Sequence, residues 1–219
     1  QMSTGLHYTL EVAWSDVWKT SFGVRADHFD FDVRDSNIPE NTGTADDWMV
    51  SPKLNVVRVL SDEAEAYFSA GYAFHSNDAR GTVITTDPST GEPAEPVDPL
   101  VRSRGAEVGM RFFREARLNV SAALWVLELD SELLFIGDAG GTEPSRASRR
   151  YGIELPVYYR HNDNLLLDFE IALTESEFTD FDPAGDEIPG SLSTVIAAGA
   201  LARFPNDFYA TLRVRHFGD

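Results

Sequence analysis

The sequence predicts an all-β fold: an antiparallel up-and-down transmembrane β-barrel, with about ten strands present in a chain of 219 residues. Three observations carry that expectation. Five short polar turns, at Ser15-Asp16, Ser61-Asp62-Glu63, Arg114-Glu115, Asn162-Asp163 and Asn206-Asp207, alternate with four long connections, Asp35–Asp47, His75–Val101, Asp130–Ala147 and Glu175–Leu192. Hairpins sorted by loop length in this way belong to outer-membrane barrels, short on the periplasmic side and long outside. Between the turns, apolar and polar residues alternate with a period of two, as strands with one greasy and one wet face require. Aromatic side chains gather beside the short turns, where an interfacial girdle sits.

Strands are expected near 6–14, 18–34, 49–60, 64–75, 102–114, 117–130, 147–160, 164–175, 193–204 and 208–217. Most are close to the roughly 9–11 residues that a tilted strand needs to cross a bilayer. In the first, Leu6, Tyr8, Leu10, Val12 and Trp14 share a face opposite His7, Thr9 and Glu11. In the fourth, Ala66, Phe68, Ala70, Tyr72 and Phe74 oppose Glu65, Ser69, Gly71 and His75. In the fifth, Val108, Met110 and Phe112 oppose Glu107, Gly109 and Arg111. In the seventh, Tyr151, Ile153, Leu155, Val157 and Tyr159 oppose Arg150, Glu154 and Arg160; in the eighth, Leu165, Leu167, Phe169, Ile171 and Leu173 oppose Asn164, Asp168 and Glu170. Trp14 and Trp18 flank the first turn, Phe112 and Phe113 precede the third, Tyr158 and Tyr159 the fourth, and Phe204 and Phe208 bracket the fifth. The same period fits a soluble β-sandwich binding module with a core face and a solvent face. That rival would bury Trp14, Trp18 and Trp125 in its core.

Composition narrows the function classes. No apolar run is long enough for a transmembrane helix, and cysteine is absent, which removes disulfides and thiolate chemistry. The net charge of −18 argues against nucleic acid as a partner, because phosphate binding needs a basic face. The four long connections hold 4, 5, 4 and 6 acidic residues, 19 of the 36, against Arg80 and Arg146 as their only bases. This pattern solvates long loops, or draws cations to a mouth. The N-terminal Gln1-Met2-Ser3-Thr4 lacks the basic and apolar segments of a signal peptide. An exported chain is therefore expected to have lost its leader or to be part of a longer one.

No enzyme is expected. His75, Ser76 and Asp78 include the residue types of a hydrolytic triad, but neighbours in sequence do not converge as a triad does. No H-E-x-x-H or G-x-S-x-G occurs, and no metal or cofactor is expected. Asp180-x-Asp182 with Gly185 resembles the start of a calcium loop, yet Ser191 stands at the twelfth position where glutamate is needed. Loose Ca²⁺ association at Asp180, Asp182, Asp186 and Glu187 stays open. Glu11, Arg25, Asp27, Glu65, Glu107, Arg111, Arg150, Glu154, Arg160, Asp168, Glu170 and Arg213 all fall on the polar face. Opposite charges lining a wet wall account for most of them, since a charge facing lipid near the midplane costs about 2–4 kcal/mol.

Several strings in order carry a resemblance: Phe74-His75-Ser76-Asn77-Asp78-Ala79-Arg80-Gly81, then Arg104-Gly105-Ala106-Glu107-Val108-Gly109-Met110-Arg111, then Leu124-Trp125-x-Leu127-Glu128-Leu129-Asp130-Ser131-Glu132, Gly137-Asp138-Ala139-Gly140, and Ser145-Arg146-x-Ser148-Arg149-Arg150-Tyr151-Gly152. From Trp18 to Phe217 the chain resembles the barrel of TonB-dependent outer-membrane receptors. The resemblance implies a barrel of about 22 strands closed by a plug, and import of a scarce solute such as a ferric siderophore. It implies the bacterial outer membrane as location, membrane lipid and lipopolysaccharide as surroundings, and the TonB complex as partner through a plug and TonB box absent from this chain. The 219 residues are then expected to be a single partial barrel domain, an incomplete segment truncated at both ends. A small passive porin-like barrel of ten strands is the alternative. His75, Asn77, Asp78 and Arg80, where a strand enters the second long loop, and Glu107 and Arg111 on the wall are the candidate solute contacts; loop-ordering hydrogen bonds are the competing role for the first four.

Overall fold

A computed structural model describes residues 1–131, 133–136, 141–144, 146–183 and 185–218, with only the backbone described between 132 and 145. Glu132, Gly137-Asp138-Ala139-Gly140 and Ser145 of the strings above lie outside the described residues or side chains. Ten strands form one antiparallel sheet: β1 (Met2–Ala13), β2 (Trp18–Val33), β3 (Gly43–Ser61), β4 (Ala64–Ser76), β5 (Leu100–Arg114), β6 (Leu118–Leu129), β9 (Ser148–Asn162), β10 (Leu165–Phe178), β11 (Thr194–Arg203) and β12 (Tyr209–Gly218). Every strand pairs with its predecessor and successor in this order. The remaining two, β7 (Leu133–Ile136) and β8 (Gly141–Pro144), make a separate hairpin inside the third long connection. The sequence leaves that stretch as loop.

The short turns are built by the residues that mark them. Ser15 Oγ accepts from the backbone N–H of Val17 and Trp18 at 3.3 and 3.2 Å. Asn162 Oδ1 accepts from Asn164 N–H at 2.8 Å. Asn206 and Asp207 take φ of 65° and 61°, the left-handed pair that suits a tight hairpin and that Asn and Asp tolerate.

Register turns the period of two into two surfaces. Val12, Thr20, Val56, Phe68, Val108, Leu124, Ile153 and Leu173 pair in sequence across eight strands, a nearly unbroken apolar row. The adjacent row runs Glu11, Ser21, Asn55, Ser69, Glu107, Trp125, Gly152 and Thr174, polar apart from Trp125 and Gly152. No second layer covers the apolar face among the described residues: Ile153 is 48% and Phe169 40% exposed. Trp14 and Trp18 are 70% and 42% exposed, which rules against the sandwich. The face is left for hydrocarbon.

β1 and β12 stand at opposite edges of an open sheet and do not pair. The ten-stranded closed barrel is therefore not what this chain forms. Each edge strand presents a row of unpaired backbone groups, and these have no water partner in a bilayer. Further strands must complete the wall.

Burial is concentrated at the long-loop end. Phe31, Met49, Leu100 and Val101 are buried there, because the wall is doubled. β3 and β4 pair only from Ser61↔Ala64 to Lys53↔Gly71, while β2–β3 pairing continues to Val33↔Gly43 and β4–β5 pairing to Ser76↔Leu100. Above Lys53 the sheet splits into two flaps. Phe29 and Met49, on the polar face of the first, meet Phe74 and Arg102, on the apolar face of the second: the two rings pack edge-on at 5.7 Å and Arg102 Nη2 lies 3.2 Å from Met49 Sδ. The flaps overlap. β2 ends within one residue of its expected bound, but β3 begins six residues before its expected start, so five of the thirteen residues of the expected loop at 35–47 are strand. Its acidic Asp46 and Asp47 are tolerated in a ladder because that part projects into water.

Candidate functional site

The six residues picked from the sequence fall into two groups. His75 lies on the polar face at the end of β4, opposite Val101, and Ser76 points to the other face, so no triad assembles. Asn77 is buried; its N–H donates to Pro99 O at 3.0 Å and its Nδ2 to Asp98 O at 2.7 Å. It closes the base of the second long loop. Asp78 accepts from Arg80 N–H at 2.9 Å, Nε at 3.1 Å and Nη2 at 2.7 Å. The Arg80 guanidinium holds the Asp78 carboxyl below the usual carboxylate range. Arg80 itself extends into solvent. Beside it, Asn41 ties the first long loop to the second: its Oδ1 accepts from Thr85 and Thr86 N–H at 2.9 and 3.0 Å, and its Nδ2 donates to Thr86 O at 2.8 Å.

Glu107 and Arg111 come together lower on the polar face, through a residue the sequence reading did not single out. The Tyr67 hydroxyl donates to Glu107, the Arg111 guanidinium lies 4.2 Å over the Tyr67 ring, and Arg111 Nη1 reaches Glu65 Oε1 at 3.0 Å. Glu107 pairs with Ser69, six residues from His75, or about 20 Å along the strand. The two groups are separate stations rather than one pocket. Elsewhere on this face Arg25 grips Asp27 through Nε and Nη2 at 2.7–2.9 Å, and Arg213 on β12 reaches Asp168 on β10 across Gly199 at 2.9 Å. These are the paired opposite charges that a wet wall requires.

Charges reach the apolar face at the strand ends: Arg58 lies over the Trp18 ring beside the short turns, and a charged ladder stands at the long-loop end. Glu128 accepts from Arg104 at 2.5 Å and from Arg149 at 2.9 Å, two pairing rows beyond Ala106, Val126 and Tyr151 on the same face. Hydrocarbon must end below this ladder, since guanidinium at the midplane is costly.

The acidic fourth loop holds an internal cation. Arg146 Nε lies 2.7 Å from Asp180 Oδ1 and Nη1 2.9 Å from Gly185 O; Nη2 bonds Asp180 O, Asp182 stands 3.7 Å away, and the guanidinium covers the Phe178 ring. The carboxylates that resemble a calcium loop are thus tied to an arginine. Among the described residues no group of three acidic or histidine side chains is placed to hold a metal. Replacing Arg146 by glutamine is expected to free the loop around 179–187, read as faster limited proteolysis there with the rest of the sheet unchanged; equal cleavage rates would count against the clamp.

A ten-stranded open antiparallel sheet with one lipid-compatible face and one charged polar face is a piece of an outer-membrane β-barrel wall. The family model for the TonB dependent receptor-like β-barrel matches residues 1–219. The chain belongs to this family, whose members are transporters rather than enzymes, and this places it in the bacterial outer membrane. Curated proteins provide no sequence match. Among solved structures, the chain is similar to the ferric yersiniabactin uptake receptor FyuA from Yersinia pestis (TM-score 0.75, 17% identity, 99% of this chain and 34% of that one). It is also similar to the copper transporter OprC (0.73, 17%, 97% and 34%) and to the alcaligin outer-membrane receptor FauA from Bordetella pertussis (0.67, 18%, 99% and 37%). The chain spans about a third of the length of these proteins.

Proposed function

We propose that this chain is one part of the barrel of a receptor that takes up a scarce solute, such as a ferric siderophore, with energy from the TonB complex. The observation that carries the reading is the pair of polar stations on one face of an open transmembrane sheet. The remaining strands, the plug and the TonB box lie in other parts of the receptor, and lipopolysaccharide surrounds the outer end. Arg80, exposed at the mouth, and Glu107, on the wall, are the residues proposed to meet the solute; His75, Asp78 and Arg111 orient them and Asn77 holds the loop base. Uptake of siderophores by some similar proteins and of copper by another supports solute import while leaving the cargo to experiment.

The test is uptake of radiolabelled ferric siderophores and of copper by iron- or copper-starved cells. Cells lacking the parent gene are expected to lose uptake of one solute, and the Arg80→Gln variant is expected to bind it more weakly with unchanged receptor abundance. Unaltered uptake of every solute in the null strain would refute the proposal.

A further inference from the structure

Between the two overlapping flaps above Lys53↔Gly71 lies a recess of about 480 Å³. Its lining comes from both faces of the sheet: Arg25, Ser51 and Lys53 from the polar face of β2 and β3, and Tyr72 and Phe74 from the apolar face of β4. We propose that this recess binds a small aromatic carboxylate. The inference rests on the polar face being a lumen wall, and it concerns residues other than the stations described above.

The chemistry of the lining selects the ligand. Lys53 makes no ion pair among the described residues, although the chain holds 36 acidic residues. Its position is fixed by a missing side chain: a Cβ at Gly23 would stand 2.7 Å from Lys53 Cε. The stem therefore lies across β2 over Gly23, and Lys53 and Arg25 line the same recess. Arg25 uses Nε and Nη2 on Asp27, leaving its other amino group for a ligand oxygen. Ser51 Oγ is buried without a hydrogen-bond partner, a state that a bound acceptor relieves. Two cationic donors and a hydroxyl suit a carboxylate. Tyr72 and Phe74 offer ring faces for a planar apolar body. A metal cation is repelled by Lys53 and Arg25, and a neutral sugar leaves the ammonium without a counter-charge.

The experiment titrates the full-length receptor in detergent with benzoate, and in parallel with cyclohexanecarboxylate and benzamide, by calorimetry. Benzoate is expected to bind more tightly than either analogue, since one lacks the ring and the other the charge. Lys53→Gln is expected to weaken benzoate about tenfold or more, the loss of one charge-assisted hydrogen bond, while Lys53→Arg retains binding. Tyr72→Leu combined with Phe74→Leu is expected to remove the preference for benzoate over cyclohexanecarboxylate, and carries the test should Lys53→Gln fail to fold, as judged by heat-modifiable gel mobility. Equal benzoate affinity in wild type and Lys53→Gln, benzamide binding as tightly as benzoate, or no benzoate binding overturns the proposal. None of these readouts uses uptake, so a failed transport assay and a failed titration are told apart.

Discussion

Phe169→Arg is expected to remove most of the folded receptor from the outer membrane, while Glu170→Arg, one residue along, leaves it in place. Phe169 sits midway along the apolar run from Leu165 to Leu173, paired with Val157 and Ala198 on the same face. It is exposed because no protein layer covers it. An arginine at the bilayer midplane costs about 2–4 kcal/mol, which corresponds to roughly 30- to 1,000-fold in a folding equilibrium. Glu170 pairs with Pro156 and Ala197 on the polar face, where a guanidinium meets water and carboxylates. The measurement is the heat-modifiable band in outer-membrane fractions. Equal loss in both variants would mean the two faces are not lipid and water, and similar levels of both variants and wild type would mean Phe169 does not meet hydrocarbon.

The fold was legible because each strand carries its own proof. Alternation at Leu6–Trp14 or Leu165–Leu173 names the face, and Asn206-Asp207 names the turn, without help from distant residues. The bounds of β2 were legible to within a residue, but the start of β3 was not. Thr44, Ala45, Asp46 and Asp47 have the composition of a loop, and only pairing with 29–32 makes them strand. The β7–β8 hairpin was missed because four-residue strands carry too little alternation to register. At the candidate site the sequence named Glu107 and Arg111, but not Tyr67, which joins them. On sequence alone Tyr67 reads as one more strand aromatic; its role comes from Gly109 on β5 lying directly opposite. Arg146 was likewise visible as one of two bases among acidic loops, yet its link to Asp180 spans 34 residues and depends on how two loops stack. The recess between the flaps has no sequence signature, since it arises where β3 and β4 stop pairing.

Gly109 supplies the second large effect, and its sign is decided by competing terms. Replacing glycine by alanine within a strand ordinarily gains roughly 0.5–1 kcal/mol by restricting the unfolded backbone. At Gly109 the new methyl would stand 2.6 Å from Tyr67 Cζ and Oη and 2.7 Å from Ala122 O. The ring must leave its seat, which breaks the hydrogen bond to Glu107 and the stacking under Arg111. Overpacking of this kind costs about 1–3 kcal/mol before those losses are added, so Gly109→Ala is expected to destabilise the protein, measured by urea unfolding of the receptor folded in lipid. The ring and the carbonyl can be separated with a double-mutant cycle. In a Tyr67→Ala background the ring contacts are gone, and the penalty of Gly109→Ala is expected to shrink without vanishing, because the Ala122 carbonyl belongs to the backbone and cannot swing aside. An unchanged penalty in that background would assign the glycine to strand packing alone and detach it from the Tyr67–Glu107–Arg111 cluster; a stabilising Gly109→Ala would remove the close approach altogether.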